Sequence, residues 1–184
     1  MWQQLEQWDI DLFIYINNLG SERFDFFWVF VTQIENWIFL YIIFLFLFFL
    51  AFSKRKAIIA AVLTIAVLFI SLALTGIVKH SFARVRPNNV SELDTFIRVL
   101  QTPDSYSFFS GHAAVSFAIT TFVVLALKND FRRMYVFYIW PIIFSMSRIF
   151  VGVHYPGDIL VGIIVGIGVG FFTWKYFAKK ILSY

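Results

Sequence analysis

The sequence contains no cysteine, and only 14% of its residues are charged. Without cysteine the chain can form neither a disulfide nor a thiolate nucleophile. Soluble domains usually carry about a quarter charged residues, so the shortage of charge argues against a soluble protein. Hydrophobic residues make up 60% of the chain instead, and 25 of these are phenylalanine. This composition is typical of a polytopic membrane protein, and 184 residues suit a single domain that covers residues 1–184.

Five apolar runs have the composition of membrane spans. A helix needs about 20 apolar residues to cross a bilayer. We expect one span in each of the segments 24–52, 57–78, 110–127, 134–151 and 159–178. The predicted fold is therefore all-α, a polytopic transmembrane helical bundle of about five spans that follows an N-terminal interfacial amphipathic helix.

Residues 1–22 form the predicted amphipathic helix. Its apolar side chains recur at helical spacing, at Leu5, Trp8, Leu12, Ile16 and Leu19. Two tryptophans and a polar face suit a helix that lies in the membrane interface. An ordinary helix packed on the bundle explains the same pattern equally well.

Residues 24–52 are apolar except for a polar break around Gln33, Glu35 and Asn36. They form either one long tilted helix or a short interfacial piece followed by a span over residues 37–52, and we favour the second. Acidic residues inside a membrane are costly and often functional. At a helix break near the interface, however, we expect Glu35 to be solvated.

Two features of the later spans bear on packing. Pro141 predicts a kink in the fourth span. The fifth span carries glycines at spacings that allow close helix packing, at Gly162, Gly166, Gly168 and Gly170. No strand precedes these glycines, so we do not take them for a nucleotide-binding loop.

The charges divide between the two ends of the predicted bundle. With five spans, the basic segments 53–56, 128–133 and 175–180 fall on one side, which the positive-inside rule makes cytoplasmic. The long polar loop 80–107 falls on the other side, and we expect a short helix in it around residues 91–100. Because the positive charge is divided in this way, the net charge of +4 does not indicate a nucleic-acid partner.

Three polar stretches lie at the outer ends of spans, at residues 79–87, 107–112 and 147–158. Neighbouring helix ends meet in a bundle, so we expect these stretches to meet at the outer membrane–water boundary. A lysine or arginine at a helix end often only extends its charge toward water, and a single histidine is usually structural, as we take His80 to be. Several cations, two imidazoles and a carboxylate on one face together indicate a functional site.

The cations of these stretches suit a phosphate group. Arginine binds phosphate oxygens through a two-pronged fork, and Lys79, Arg86 and Arg148 supply the positive charge. Ser110 and Gly111 open the third span. The N–H groups at such a helix start attract an anion.

The remaining residues suit hydrolysis of a phosphate ester carried by a lipid. His154 and Asp158 pair as nucleophile and orienting carboxylate. His112 is a general acid suited to protonate the leaving alkoxide. No cluster of carboxylates suggests a metal, so we expect a phospho-histidine route with no metal and no cofactor.

The three stretches resemble the motifs of the type 2 phosphatidic acid phosphatase (PAP2) superfamily. The three motifs are matched in order and spacing by Lys79-x6-Arg86-Pro87, by Ser110-Gly111-His112 and by Ser147-Arg148-x5-His154-x3-Asp158. One position departs from the pattern, because the second motif usually begins with proline and this chain has Phe109. Proline there would affect only the local entry to the helix.

The resemblance implies a helical bundle and metal-independent dephosphorylation. It implies His154 as nucleophile, Asp158 as its partner and His112 as acid. The implied phosphate-binding residues are Lys79, Arg86, Ser110, Gly111 and Arg148. Arg84 lies inside the first motif at a variable position and ranks below them. Vanadium haloperoxidases share these motifs, but they are soluble, and five spans disfavour that alternative.

Several lipids are dephosphorylated by small bacterial proteins of this kind. The resemblance implies undecaprenyl diphosphate, phosphatidylglycerol phosphate, phosphatidate or a lipid A phosphate. With a site that faces the periplasm from the bacterial inner membrane, we expect undecaprenyl diphosphate first and lipid A phosphate close behind.

A small membrane transporter is the non-enzymatic alternative. It predicts polar residues along the spans. In this sequence they cluster at the outer ends of the spans instead, which favours the enzyme.

Overall fold

Eight α-helices make up the computed structural model, which describes residues 1–182. They are α1 Trp2–Asn18, α2 Glu22–Thr32, α3 Ile38–Ala51, α4 Lys54–Phe82, α5 Gly111–Leu127, α6 Ile139–Phe150, α7 Pro156–Thr173 and α8 Lys179–Leu182. Short 3₁₀ segments lie at Ile34–Trp37, Pro87–Asn89, Ser91–Leu93 and Met134–Tyr138, and a π-helical segment, Trp174–Ala178, joins α7 to α8. The all-α prediction is confirmed.

Helix α5 forms the centre of the bundle, with α4, α6 and α7 packed around it. Its residues are apolar almost all round, and most are buried. A helix with this composition has no solvent-facing side and must be enclosed by other helices. Since α5 begins at Gly111, this central position places the second polar stretch at the meeting point of several helix ends.

Three glycines of α7 allow it to lie directly against α5. A Cβ added at Gly162 would come within 2.7 Å of the backbone oxygen of Ser110, and Gly166 and Gly170 are equally crowded by α5 backbone. Small residues at four-residue spacing let helix backbones approach closely in membranes. The packing prediction holds for these three positions and is wrong for Gly168, which has open space around it.

Three segments are long and apolar enough to cross a membrane, and two apolar helices are shorter. The long segments are Ile34–Ala51, Lys54–Leu93 and Pro156–Leu182, and the shorter helices are Gly111–Leu127 and Met134–Phe150. The protein is therefore an integral membrane protein. The number of five spans stays a prediction.

The polar break in residues 24–52 separates two helices, as we favoured. Gln33 is extended, with φ −78° and ψ 128°, between α2 and the following 3₁₀ segment. The amide of Asn36 donates to the Phe30 carbonyl at 2.7 Å, and the Trp37 indole donates to the Val31 carbonyl at 2.8 Å. These side chains satisfy carbonyls that the helix end leaves free. Glu35 is exposed in this break.

Helix α1 packs on the bundle, as one of the two interpretations of residues 1–22 predicts. Phe13 and Asn17 are fully buried on one face, and Phe13 packs edge-on against Tyr155. Trp8 and Leu12 are exposed on another face. The helix is therefore packed on the bundle, while its interfacial location stays a prediction.

Two local predictions are wrong. We expected the basic segment 53–56 to be a short loop between spans, but residues 54–56 form the first turn of α4. The helix expected around residues 91–100 is only the three-residue 3₁₀ turn Ser91–Leu93. Beyond that turn, the side chain of Asn17 binds both the N–H and the carbonyl of Arg98, and Leu100 donates to Val151. These partners replace the hydrogen bonds that a helix would have supplied.

Pro141 does not kink the middle of a helix. It lies in the first turn of α6, directly after the 3₁₀ segment Met134–Tyr138. The first N–H groups of a helix have no partner within it, so proline is tolerated there.

The basic segments gather at the end of the bundle away from the three polar stretches. Lys56, Asp130 and Lys179 line one cavity of about 290 Å³ at that end. The ammonium groups of Lys128 and Lys179 lie 5.4 and 5.6 Å from the centre of the Trp174 ring. The three segments that the positive-inside argument grouped together therefore share one end of the molecule.

Replacing Gly166 by alanine should lower the melting temperature in detergent, because the new methyl group would overlap the Ala114 carbonyl. Overpacking of this kind destabilises by about 1–3 kcal/mol. Gly168→Ala is the matched control on the same helix. It should leave the melting temperature unchanged or raise it, since alanine favours helix and the space is open. Equal effects of the two substitutions would contradict the packing.

Candidate active site

The three polar stretches meet around Asp158 and His154. Arg84, from the first stretch, donates to Asp158 Oδ1 at 2.7 Å. Ser107, from the second, donates to Asp158 Oδ2. Arg86 places its Nη1 atom 3.2 Å from His154 Nε2. Residues far apart in the chain thus form one connected polar cluster.

Asp158 is held at the start of α7. Pro156 occupies the first helical position, where its missing N–H breaks no helical bond, and an acidic residue in the first turn is stabilised by the helix dipole. The carboxylate accepts the Tyr155 N–H at 3.1 Å, as in a capping box. The local sequence Tyr155-Pro156-Gly157-Asp158 therefore both begins the helix and fixes the carboxylate.

His154 lies against this carboxylate. Its Nδ1 is 3.3 Å from Asp158 Oδ2 and 3.3 Å from the Ser107 hydroxyl. Both His154 and Asp158 are essentially fully buried. Asp158 can therefore accept a hydrogen bond from a proton on Nδ1. In that tautomer the ring's lone pair lies on Nε2, on the opposite side of the ring.

The imidazole of His154 is neutral at ordinary pH. Burial lowers the pKa of His154 to about 3, although the hydrogen bond to Asp158 opposes this shift. The nearby Arg86 guanidinium also disfavours a protonated ring. With Nδ1–H directed at Asp158, Nε2 carries the lone pair that a nucleophile needs, and this lone pair faces Arg86 Nη1 at 3.2 Å.

Arg86 and Lys79 are held in place by the backbone of the long loop. Arg86 is buried and donates to the carbonyls of Ser105 at 2.5 Å and Val153 at 2.9 Å. The Lys79 ammonium donates to the Tyr106 carbonyl at 2.6 Å. Neutral carbonyls orient these cations without cancelling their charge, so the charge remains available to an anion.

Arg148 is buried near the end of α6 and is only partly satisfied. Its Nη1 donates to the Thr32 hydroxyl and to Gln101 Oε1, the latter at 3.0 Å. Its Nε–H is buried and finds no hydrogen-bond partner among residues 1–182. Buried donors are nearly always paired, so this unpaired Nε–H is an exception.

The start of α5 contributes the second motif. Ser110 caps the helix, and its hydroxyl accepts from the Ala113 N–H at 3.5 Å. Gly111 and His112 line the cavity described below, whereas the buried Ser110 does not. The His112 ring lies 4.7 Å from the Phe144 ring, with Nε2 3.3 Å from the Thr32 carbonyl.

One cavity of about 780 Å³ collects most of the predicted site residues at its polar end: Lys79, Arg86, Gly111, His112, Arg148 and His154. From there it continues as a groove between α3, α4 and α5, lined by apolar side chains such as Phe44, Phe48 and Ile65. Its lining runs along α4 from Lys79 to Ala61, a rise of about 27 Å at 1.5 Å per residue. This length approaches the thickness of a bilayer core.

The family follows from a comparison with known sequences. The sequence model of the PAP2 superfamily matches residues 60–182. The chain belongs to the PAP2 superfamily. It is a membrane lipid phosphatase of that superfamily, a phosphoric ester hydrolase.

This PAP2 protein is similar in sequence to three relatives of two kinds, lipid A 4'-phosphatases and an undecaprenyl-diphosphatase. It is 28% identical over 172 residues to the lipid A 4'-phosphatase of Porphyromonas gingivalis, over 91% of this chain and 72% of the relative. It is 26% identical to the lipid A 4'-phosphatase of Bacteroides thetaiotaomicron, over 95% and 79%. The undecaprenyl-diphosphatase of Sulfolobus acidocaldarius is 30% identical over 105 residues, which is 56% of this chain and 48% of that protein.

Two crystal structures share the fold of this PAP2 protein. A transmembrane PAP2-type phosphatidylglycerolphosphate phosphatase from Bacillus subtilis superimposes with a TM-score of 0.77 at 19% identity, over 98% of this chain and 89% of that one. LpxE from Aquifex aeolicus superimposes with a TM-score of 0.70 at 26% identity, over 91% and 94%. The helical arrangement is thus that of PAP2 membrane phosphatases.

Sequence reasoning missed several residues of the site. Thr32 and Gln101 hold Arg148, and Ser107 binds Asp158. Thr32 and Gln101 lie far from the motifs, and nothing in their local sequence marks them. Ser107 lies within the second polar stretch, and this position could have marked it as a candidate. Arg84, which the sequence ranked below the other cations, lies within the first.

The burial of His154 predicts a pH dependence of stability. The native imidazole stays neutral down to a pKa of about 3, while an unfolded histidine has a pKa near 6.5. Between these values the unfolded chain binds more protons, so the free energy of unfolding falls as the pH falls, by at most about 1.4 kcal/mol per pH unit. The melting temperature in detergent should therefore drop less between pH 7 and pH 5 for His154→Asn than for wild type.

The exposed His80 supplies the control for this comparison. His80→Asn should reproduce the wild-type drop. An equal drop in wild type and His154→Asn would contradict a buried, neutral imidazole.

Proposed function

We propose that the protein hydrolyses a phosphate monoester of a lipid A-type lipid, through a phosphoryl group carried on His154. The observation that carries the proposal is the cavity in which Lys79, Arg86 and Arg148 lie together with His154. A phosphate oxygen is the acceptor that a guanidinium prefers. Arg148, Arg86 and Lys79 together carry three positive charges, which more than offset the two negative charges of a phosphate dianion.

In the first step His154 Nε2 attacks phosphorus. The N–P bond forms as the bond from phosphorus to the lipid oxygen breaks, and His112 gives a proton to the departing alkoxide. Before substrate binds, the Nη1–H of Arg86 donates to His154 Nε2. When substrate binds, this Nη1–H turns toward a phosphate oxygen. Asp158 stabilises the positive charge that develops on the imidazole.

In the second step water hydrolyses the phospho-histidine. His112, left without its proton, accepts one from the attacking water, and inorganic phosphate leaves as the N–P bond breaks. The negative charge of bound phosphate beside His112 favours the protonated imidazole that the first step requires. The residues of this chain supply every group that the two steps need, so we propose that no metal takes part.

The apolar groove supports a lipid as the carrier of the phosphate. It begins at the cationic end of the cavity and is lined by Tyr41, Phe44 and Leu68 farther along. A hydrocarbon chain lying in it would remove apolar surface from contact with water. The phosphate would then be delivered to Arg148 and His154 at the polar end.

The relatives support lipid A over undecaprenyl diphosphate as the substrate class. The sequence alone favoured undecaprenyl diphosphate. However, the similarity to the two lipid A 4'-phosphatases extends over 91% and 95% of the chain, whereas the similarity to the undecaprenyl-diphosphatase extends over 56%. Undecaprenyl diphosphate is the second candidate.

The charge distribution supports a site on the outer face of the inner membrane. The basic segments lie together at one end, and basic ends of membrane proteins face the cytoplasm. The candidate site at the opposite end of the helices then faces the periplasm.

Purified protein should release inorganic phosphate from a lipid A phosphate in detergent with EDTA present, and vanadate should inhibit, since it mimics the pentacoordinate phosphorus of the transition state. His154→Ala should lower kcat at least about 10³-fold, because the nucleophile is lost. His80→Ala, outside the cavity, should behave as wild type. Full activity of His154→Ala would overturn the nucleophile assignment, and strict dependence on a divalent cation would overturn the mechanism.

The substrate class is tested by kcat/KM on lipid A phosphate, undecaprenyl diphosphate, phosphatidylglycerol phosphate and phosphatidate under one set of micelle conditions. The lipid A phosphate should give the highest value, at least tenfold above the others. A higher value for undecaprenyl diphosphate would reverse the proposed order while leaving the mechanism intact.

A further inference from the structure

Arg84 bridges two carboxylates at the back of the candidate site. Its Nη1 donates to Asp158 Oδ1 at 2.7 Å, and its Nη2 donates to Asp9 Oδ2 at 2.9 Å. The guanidinium carbon lies 4.0 Å from the centre of the Tyr155 ring, which fixes the plane of the fork. Arg84 therefore binds Oδ1 of Asp158, whereas His154 lies against Oδ2.

Asp9 connects this bridge to helix α1. Its second oxygen, Oδ1, accepts the Gly157 N–H at 2.7 Å, one residue before Asp158. A Cβ at Gly157 would come within 2.8 Å of Asp9 Oδ2, so a side chain at this position would push the carboxylate away. Asp9 thus contacts both the arginine that holds Asp158 and the helix start that carries Asp158.

Arg84 and Asp9 carry opposite charges, so the three groups together keep the single negative charge of Asp158. When His154 attacks phosphorus its ring becomes positive, and Asp158 must stabilise that charge. An arginine bound to Asp158 alone would oppose this, because its positive charge repels the developing imidazolium. Asp9 neutralises Arg84, so the arginine can orient Asp158 without reducing its effect on His154.

We propose that Arg84 and Asp9 act together as positioning residues for Asp158, which makes helix α1 part of the catalytic machinery. The inference rests on the proposed function, since it concerns the carboxylate that orients the proposed nucleophile. Neither residue touches the substrate. Both act through the position and charge of Asp158.

The chain offers a matched control. Arg98 binds Asp25 at 2.5–2.6 Å, with similar exposure of 24% and 25%, and also connects the long loop to an N-terminal helix. Arg84 and Asp9 are 22% and 17% exposed. The Arg98–Asp25 pair makes no contact with Asp158 or His154 among the hydrogen bonds of residues 1–182.

The test is a double-mutant cycle of Arg84→Gln and Asp9→Asn, with kcat, KM and melting temperature measured for each variant on the lipid phosphate that wild type hydrolyses best. Each single substitution should lower kcat roughly 10- to 100-fold, the range expected when an outer partner of a catalytic group is removed. KM should change less than threefold, because the cations lining the cavity are untouched. Since both residues act through one bridge, the double variant should lose far less than the product of the single losses.

Two further variants separate positioning from stability. Arg84→Lys keeps the charge but cannot bind both carboxylates with a planar fork, so its kcat should lie between wild type and Arg84→Gln. Arg98→Gln should lower the melting temperature and leave kcat within threefold of wild type.

The outcomes distinguish the inference from the function on which it rests. Unchanged kcat in Arg84→Gln and Asp9→Asn, with His154→Ala inactive, would overturn the positioning role alone. Multiplicative losses in the double variant, or an equal fall of kcat in Arg98→Gln, would also overturn it. If wild type releases no phosphate, or if His154→Ala retains full activity, the proposed function itself fails.

Discussion

The buried carboxylate of Asp158 is the group on which the site depends. It accepts hydrogen bonds from Arg84, Ser107 and the Tyr155 N–H and faces His154 Nδ1. An unpaired buried carboxylate would be strongly destabilising, and these donors stabilise the charge of Asp158. Through them Asp158 joins α1, the long loop, the entry to α5 and the start of α7.

The membrane setting explains how this cluster can exist. In an apolar bundle, polar groups are tolerated only where they bind one another or water. Here the groups of the Asp158 cluster lie at one end of the helices, and the groove beyond them is mostly apolar. In the function we propose, the hydrocarbon binds along α4 and the phosphate binds at the cationic end.

The sequence predicted the parts of the structure that depend on local pattern. The apolar runs form helices because of their composition. The three polar stretches converge because they lie at helix ends that are neighbours in a bundle. The partners of Arg148 could not be predicted, because Thr32 and Gln101 come from segments whose spatial position depends on tertiary packing. The loop after Leu93 was predicted as helix for the same reason: Asn17, far away in the sequence, supplies its hydrogen bonds. Gly168 was wrongly predicted to pack against a helix, since spacing alone cannot distinguish a glycine that faces another helix from one with open space around it.

The central claim, that phosphate passes through His154, is tested most directly by trapping the intermediate. Enzyme mixed with a lipid phosphate and denatured in alkali within one turnover should carry a phosphoryl group on the peptide that contains His154, since phospho-histidine survives alkali. Mass spectrometry locates the group, which should disappear when the reaction runs until the substrate is exhausted before quenching. A phosphoryl group on Ser107, or steady turnover with no phosphorylated peptide, would contradict the account.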